Sequence, residues 1–274
     1  SEPKEKKTIE YSINEIKSIQ VEERNNNVII IPTNHDKIIV TYGTSEKLPM
    51  KIDASSQCLE ITRVNNKKWY DYIGIFLFSG LDDTVIEVPE SYLDELIVKT
   101  SNSKIEVDGI KTNGQIHLDT SNGKIEISNI ESKDRVWAET SNAKITLENA
   151  LVEGTVTAST KNGKVNAVDI ISDSFVADSS NGGMTIERVQ CNNLMSIKDS
   201  NGSIHVSDIS VGREINIKTS NGKIEGDLRG SISDYNIISK TSNASNNLPE
   251  ELAAGDIKLN LKTSNGKIDI EFFE

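Results

Sequence analysis

The sequence has few of the residues from which most globular cores are built. Of its 274 residues, 35% are hydrophobic and only 5% are aromatic. A single central core needs many bulky apolar side chains, whereas a fold of small repeated units buries only a narrow apolar strip in each unit. The composition therefore favours repeated units over one thick core.

Cysteines, long apolar runs and an excess of positive charge are also missing. Cys58 and Cys191 stand far apart, which excludes a disulfide framework and a cysteine-rich metal site. The longest apolar run covers residues 73–78 and is far too short to span a bilayer. The net charge of −12 provides no overall basic face for phosphates, so we do not expect nucleic acid as a partner.

The beginning of the chain shows no signal peptide. Residues 1–7 are polar, whereas an export signal carries an apolar segment after a few positive charges. We expect a processed start, so that any membrane association would come from a segment missing from this chain.

The sequence is rich in one short motif, Thr-Ser-Asn-Gly-Lys-Ile, which recurs at nearly constant spacing. Nine copies or variants share a corner asparagine, and these asparagines are 20, 20, 20, 19, 20, 20, 22 and 22 residues apart. They are Asn102, Asn122, Asn142, Asn162, Asn181, Asn201, Asn221, Asn243 and Asn265. A period of this length is typical of solenoids.

Apolar and polar residues alternate on both sides of each corner. The positions six and four before the asparagine are mostly apolar, as in Leu96 and Val98, and so are those three and five after it, as in Ile105 and Val107. Alternation with period two indicates strands with one buried face. A further apolar residue eight positions after the asparagine, such as Ile110, indicates a second corner in each coil.

Two fold classes are compatible with this alternation. Asn-Gly between strands also suits the type I′ turn of a hairpin, so an antiparallel meander or sandwich stays open. Turn signals in a meander recur every 8–12 residues, whereas the full motif recurs at about 20. We therefore predict an all-β fold, a single elongated β-solenoid (β-helix-like) of about 20-residue coils. At about 4.8 Å per coil, nine coils would form a rod on the order of 40 Å long.

Two parts of this solenoid are expected to differ in regularity. Residues 1–95 lack the motif but contain strand-like segments, and we predict irregular N-terminal β coils and a cap, continuous with the solenoid. Residues 96–274 are predicted to form the regular β-solenoid with nine Asn corners. The eighth copy has Asn246 where an isoleucine belongs, so we expect this coil to bulge or loop out. Phe272 and Phe273 are expected to close the last coil.

The first candidate binding surface is a lysine stripe two residues after the corner asparagine. Its leading members are Lys104, Lys124, Lys144 and Lys164. Stacked lysines suit a solvated edge that discourages pairing with another sheet. They also suit a track for an anionic polymer or for lipid head groups.

The second candidate surface is an aromatic insertion over residues 69–78, marked by Trp69, Tyr72 and Phe76. One interpretation is a cap or hairpin packed on the first coils. The other is an exposed patch for a partner or a membrane interface.

No residues form a recognisable catalytic, cofactor-binding or metal-binding pattern. His117 and His205 take outward strand positions, and Glu106 and Glu126, one coil apart, belong to a regular outward row. Catalysis needs groups that converge on one point, so we predict no enzyme and no cofactor. A carbohydrate-active β-solenoid enzyme and a self-assembling structural protein stay open as alternatives.

The segment Ile86-Glu87-Val88-Pro89, followed by residues 96–105 and the Thr-Ser-Asn-Gly-Lys-Ile copies, resembles the bacterial putative-adhesin family of β-strand-repeat proteins, or toastrack domains. The resemblance covers most of the chain from about residue 16. It implies a non-enzymatic module of the cell envelope or surface for adhesion, sensing or scaffolding, extracellular or anchored to the cell surface, although a cytoplasmic location stays open. The expected partner is an unknown protein, a glycan or an envelope polymer. The family has no established functional residues to transfer.

Overall fold

A computed structural model describes residues 4–68 and 81–274, which form an all-β solenoid of about nine turns. The strands are β1 (Glu5–Ser12), β2 (Ser18–Glu22), β3 (Val28–Thr33), β4 (Lys37–Thr44), β5 (Met50–Asp53), β6 (Cys58–Arg63), β7 (Thr84–Pro89), β8 (Tyr92–Leu93), β9 (Glu95–Thr100), β10 (Ile105–Asp108), β11 (Lys111–Thr112), β12 (Ile116–Thr120), β13 (Ile125–Ser132), β14 (Val136–Thr140), β15 (Ile145–Thr160), β16 (Val165–Asp178), β17 (Met184–Lys198), β18 (Ile204–Val211), β19 (Glu214–Lys218), β20 (Ile224–Arg229), β21 (Tyr235–Lys240), β22 (Glu251–Ala253), β23 (Ile257–Lys262) and β24 (Ile268–Phe273). Short 3-10 turns lie at Ser55–Gln57 and Ile232–Asp234.

Equivalent residues of neighbouring coils lie directly above one another. Ile105 pairs with Ile125, and Ile125 pairs with Ile145, in parallel register. All three side chains are fully buried, and burying a side chain of this size stabilises the fold by roughly 1.5–3 kcal/mol. The parallel register confirms the predicted β-solenoid, because a meander would pair its strands antiparallel.

Two stacks of strands meet at the corner asparagines. The stack before the corner, here called the broad face, runs in the order β5, β6, β2, β9, β12, β14, β15, β16, β17, β19, β23, β21 and β22. The stack after the corner includes β7, β3, β10, β13, β15, β16, β17, β18, β20 and β24. At about 4.8 Å per strand the rod is roughly 50 Å long.

The stacking order departs from chain order at both ends of the rod. At the N-terminal end, β2 lies between β6 and β9. At the C-terminal end, β23 lies between β19 and β21. The last coil of the chain is therefore an interior coil, and the eighth copy of the motif lies outside it.

Antiparallel strands cover both ends of the broad face. β5 pairs antiparallel with β6, and β22 pairs antiparallel with β21. Such short antiparallel edges limit further pairing in the same register as the stack. The prediction that Phe272 and Phe273 close the last coil is wrong, because β21 and β22 lie outside that coil. Phe272 instead packs on Tyr235, with 5.2 Å between ring centroids.

The irregularity expected at the eighth copy is confirmed. Asn246 makes a single bridge to Ile268 instead of continuing a strand. The side chain of Asn247 takes the place of a strand there: its amide donates to Ile270 O (2.9 Å) and its oxygen accepts from Ile270 N (3.0 Å). The outer edge of β24 is thus satisfied by a side chain, which fits an end cap better than another regular coil.

Both corners of each coil have a local conformational cause. At the first corner, a Cβ on Gly163 would lie 1.7 Å from the carbonyl oxygen of Ala143 in the neighbouring coil, so this coil needs glycine there. The predicted second corner is also confirmed, because the residue just before the apolar one has a left-handed backbone. Asn129 (φ 52°) and Asn149 (φ 53°) show it, and asparagine tolerates this region better than most residues.

Candidate functional site

The corner asparagines form a continuous hydrogen-bonded ladder along the rod. The side-chain amide of Asn122 donates to the oxygen of Asn102 (2.7 Å), and Asn142 repeats this contact with Asn122 (2.7 Å). At the C-terminal end the order is Asn221, Asn265 and then Asn243, in agreement with the inserted last coil. The asparagine amides thus hydrogen-bond to one another and hold the coils together. Few of their hydrogen-bonding groups remain for a ligand, so the motif has a structural role.

The ladder has a further member, Asn25, which the Thr-Ser-Asn-Gly-Lys-Ile motif does not predict. The oxygen of Asn25 accepts from Asn102 at 2.8 Å, so the coil around Asn25 belongs to the regular stack. Its motif is Glu23-Arg24-Asn25-Asn26-Asn27, which keeps the asparagine but replaces the threonine, the glycine and the lysine. The Asn-Asn-Asn run before the apolar segment was the available signal.

Glu23 occupies the buried threonine position of that coil and pairs with Arg63. Arg63 Nε lies 3.0 Å from Glu23 Oε1, and the two side chains are 1% and 0% exposed. Arg63 also donates to the carbonyl oxygens of Gly43 (2.8 Å) and Leu48 (2.9 Å), and Thr84 donates to Glu23 (3.0 Å). Since every partner belongs to the N-terminal coils, this pair is a structural clamp for the cap.

The structure places Lys104, Lys124, Lys144 and Lys164 in one stripe beside the corner, as their spacing predicts. Lys104 Nζ lies 2.5 Å from Glu106 and 3.5 Å from Glu126, and the hydrogen bond that Lys104 donates to Glu106 raises the pKa of its amine. The outward row of Glu106 and Glu126 therefore neutralises part of the stripe.

The other stripe lysines differ in how they are paired. With the Asn166 amide turned so that its oxygen faces the amine, Lys144 donates to it at 3.0 Å. Further along, Lys223 pairs with Glu225 at 2.5 Å. Lys124 and Lys164 are exposed. A binding role for this stripe stays a prediction, with these two lysines as its most accessible members.

Trp69, Tyr72 and Phe76, the second predicted surface, lie outside the described residues. Their interpretation as a cap or as an exposed patch stays a prediction.

A second lysine ladder, which sequence reasoning missed, lies on the broad face three residues before the corner asparagine. Lys198 pairs in register with Lys218, Lys218 with Lys262, and Lys262 with Lys240. All four are exposed, and within residues 4–68 and 81–274 none of their amines makes a hydrogen bond or ion pair. Neighbouring ammonium groups one strand step apart repel by roughly 0.9 kcal/mol in water. This ladder therefore concentrates positive charge at one end of an acidic protein.

The row beside this ladder carries amides and one exposed apolar side chain. Asn260 donates to Asn216 at 2.7 Å, and Asn216 donates to Glu214 at 2.8 Å. Ile238, beside Asn260 in register, is 56% exposed. Together with the lysines these side chains line a shallow groove.

Another groove lies along the second corner, and its charges are internally paired. Arg188 donates to Asp169 at 2.6 Å, and Arg229 pairs with Asp208 in the same way. The guanidinium of Arg188 holds the pKa of the Asp169 carboxyl below its usual range. The exposed Leu151 lines the same groove. Carboxylates that are already paired with arginines are poorly suited to proton transfer.

The outward histidine His117 lies against an aromatic ring and among the charged side chains of Asp119 and Glu139. His117 stacks on Trp137 with 5.1 Å between ring centroids and 19° between ring planes, and burial lowers the pKa of its imidazole. Across the part of the chain that the structure describes, no three histidine, cysteine, aspartate or glutamate side chains are placed to hold a metal ion. In that same part, no helix has the length and apolarity that a membrane crossing requires.

Three comparisons relate this chain to known proteins. A model of the family described as Toastrack DUF4097 matches residues 16–271, and no curated protein matches the chain. A putative adhesin from Bacteroides fragilis is 11% identical, covers 97% of each chain and has a TM-score of 0.46. One from Parabacteroides merdae is 12% identical, covers 81% of this chain and 95% of its own, and has a TM-score of 0.41. A putative cell adhesion protein from Clostridium sporogenes is 12% identical, covers 99% and 100%, and has a TM-score of 0.22. Because the family model spans nearly the whole described solenoid, the chain belongs to the Toastrack DUF4097 family.

Proposed function

We propose that this chain is a non-catalytic module displayed at the cell surface, which adheres through its long sheet faces to a repeating polymer of the cell envelope. The observation that carries the proposal is the register of the stack. On the broad face, equivalent outward side chains such as Lys218 and Lys262 follow one another at one strand step. A linear ligand lying along the rod would meet the same kind of group repeatedly.

Repeated contacts make binding dependent on ligand length. Each additional contact with one chain of ligand is intramolecular, so the apparent affinity rises with each ligand unit until the rod is filled. A flat face of roughly 50 Å, at about 4.8 Å per strand, offers many such contacts, although each is weak. Adhesion to a polymer uses this geometry better than capture of a small molecule, which needs a concave pocket.

The carbohydrate-active alternative has less support. A glycosidase needs a general acid whose pKa is raised next to a second free carboxylate. In the groove along the second corner, Asp169 is paired with Arg188 and its pKa is lowered. Asp208 in that groove is likewise paired, with Arg229.

The test is a titration of the purified chain with size-fractionated envelope polysaccharides, with the reducing ends of the polymer measured in parallel. We expect affinity to rise with polymer length and no new reducing ends to form. Equal affinity for short and long fractions, or release of shortened products, would contradict the proposal. Surface display is tested separately by the access of an added protease to the chain on intact cells.

A further inference from the structure

In the part of the chain that the structure describes, the amines of the lysine ladder make no contact that stabilises the fold. The ladder consists of Lys198, Lys218, Lys262 and Lys240. The corner stripe is neutralised in part by its glutamates, as at Lys104 and Glu106. In the described ranges none of the four ladder lysines forms a salt bridge with a carboxylate, and each is exposed; the nearest acidic neighbour in the row is Asp178, beside Lys198. A strand edge can be protected by single lysines, but three of these lysines lie in the interior strands β17, β19 and β23.

The charge along the broad face changes sign where this ladder begins. In the same outward row, Asp119 and Glu139 lie one step apart in the N-terminal half, and Asp178 comes directly before Lys198. The positive segment is thus bounded on one side by acidic residues, which would stop an anionic ligand from extending past β16.

We propose that this ladder is a binding site for an extended acidic polysaccharide, lying parallel to the rod axis across β17, β19, β23 and β21. The proposal rests on the proposed function and names its ligand class. Four amines at one strand step match a chain that carries one negative group on each successive sugar. The neighbouring amides of Asn216 and Asn260 offer hydrogen bonds to hydroxyl groups, with Asn260 donating to Asn216 at 2.7 Å.

A nucleic acid fits this surface less well. Single-stranded binding sites use aromatic side chains on which successive bases stack. The row next to the lysines consists of Val176, Ser196, Asn216, Asn260 and Ile238, and it contains no ring. A duplex-binding protein neutralises many phosphates with a broadly basic face, whereas this ladder is one line on a protein of net charge −12.

The site is tested by titrating the full chain with polygalacturonate oligomers at low salt, with neutral dextran as the uncharged polymer. We expect Lys218→Glu combined with Lys262→Glu to weaken binding of polygalacturonate at least about tenfold and to flatten its salt dependence, because two charge contacts are reversed. The matched control is Lys124→Glu combined with Lys164→Glu, which changes the net charge equally in the corner stripe and is expected to alter binding less than about twofold.

Several outcomes would overturn the proposal. These are unchanged binding in the ladder variant, an equal loss in the corner-stripe control, or equally tight binding of a thymidine oligonucleotide. If polyglycerol phosphate binds more tightly than polygalacturonate, with the same lysine dependence, the ladder prefers phosphate to carboxylate, and an acidic sugar polymer is contradicted. Binding to neutral envelope polymers that survives in the ladder variant would overturn this site while leaving the proposed adhesive function in place.

A second measurement uses the unmodified chain and so does not depend on how the variants fold. Amine acylation followed by mass spectrometry reports which lysines polygalacturonate covers. We expect the polymer to protect Lys198, Lys218, Lys240 and Lys262, and to leave Lys124 and Lys164 as reactive as before. Uniform protection of all six amines, or none, contradicts a site at the ladder.

Discussion

Replacing Glu23 by glutamine tests whether the N-terminal cap is clamped by a buried ion pair. The substitution keeps the shape of the side chain but removes the charge that faces Arg63. The two side chains are 0% and 1% exposed, and Arg63 Nε and Nη2 each lie 3.0 Å from a Glu23 carboxylate oxygen. Removing one partner of such a pair leaves an uncompensated buried charge, at a cost of about 3–5 kcal/mol.

The matched control is Glu10→Gln, which breaks an exposed pair. Glu10 lies 3.4 Å from Lys37, and both side chains are about half exposed, at 53% and 52%. Pairs of this kind contribute less than about 1 kcal/mol. Both substitutions remove one negative charge from the N-terminal coils. The difference between their effects on the free energy of unfolding therefore reports the burial of the Glu23–Arg63 pair.

The assay combines urea unfolding with hydrogen exchange of the amides in β2, β3 and β6. In a solenoid each coil is stabilised mainly by its neighbours, so we expect the loss to appear first as faster exchange in these three strands. Exchange in β15 and β16 should change little. Equal free-energy changes for Glu23→Gln and Glu10→Gln would refute the reasoning.

Three further predictions follow from the stack. Gly163→Val should lower the free energy of unfolding in urea by at least about 1–3 kcal/mol, the cost of overpacking, because its Cβ would lie 1.7 Å from the Ala143 carbonyl oxygen; wild-type stability would contradict this. A chain ending at residue 255 keeps β21 but lacks β23, the strand on which β21 stacks. We therefore expect its melting temperature to be no higher than that of a chain ending at residue 230. A higher melting temperature of the longer chain would show that β21 can also stack on β19. Burial lowers the pKa of His117, so the unfolded chain binds its proton more readily, and this residue's contribution is present above about pH 6.5 and lost as pH falls below it. His117→Asn should therefore reduce the difference in melting temperature between pH 8 and pH 5, and an unchanged difference would count against this assignment.

The repeat made most of the fold predictable from the sequence. The spacing of the corner asparagines predicted the coils, and the alternation around them predicted the buried positions, such as Ile105 and Leu118, which are fully buried. The unusual residue Asn246 predicted where the regular stack breaks down. These successes share a physical cause, because each coil repeats the same contacts with its neighbours and so needs the same residue types.

The order of the coils could not be predicted in the same way. The repeat shows which side chains a coil presents, and all regular coils present nearly the same ones, so it does not identify which coil lies next to which. The insertion of β23 between β19 and β21 depends on the longer connections around the eighth copy. The coil of Asn25 was missed for a different reason, since its threonine position holds Glu23 to pair with Arg63.

The lysine ladder was only partly visible in the sequence. Lysine stands three residues before the corner asparagine in several copies, including Lys198, Lys218, Lys240 and Lys262. The lysines after the corner recur more regularly and therefore form the more conspicuous pattern. The two groups of lysines differ in their salt bridges, which depend on the neighbouring coils. Lys104 in the corner stripe pairs with Glu106 and Glu126. Among the described residues, no carboxylate forms a salt bridge with a lysine of the ladder.

The insertion of the last coil is tested most directly by engineered disulfides at Asn216. In a background with Cys58 and Cys191 replaced by serine, Asn216→Cys combined with Asn260→Cys should form an intramolecular disulfide, because these residues pair in register and their side chains are 2.7 Å apart. Asn216→Cys combined with Ile238→Cys should stay reduced, because two strand steps of about 4.8 Å exceed the Cα separation of about 4.4–6.8 Å that a disulfide spans. A disulfide in the second pair and not in the first, detected by mass spectrometry of proteolytic fragments, would show that the coils stack in chain order and would contradict this account.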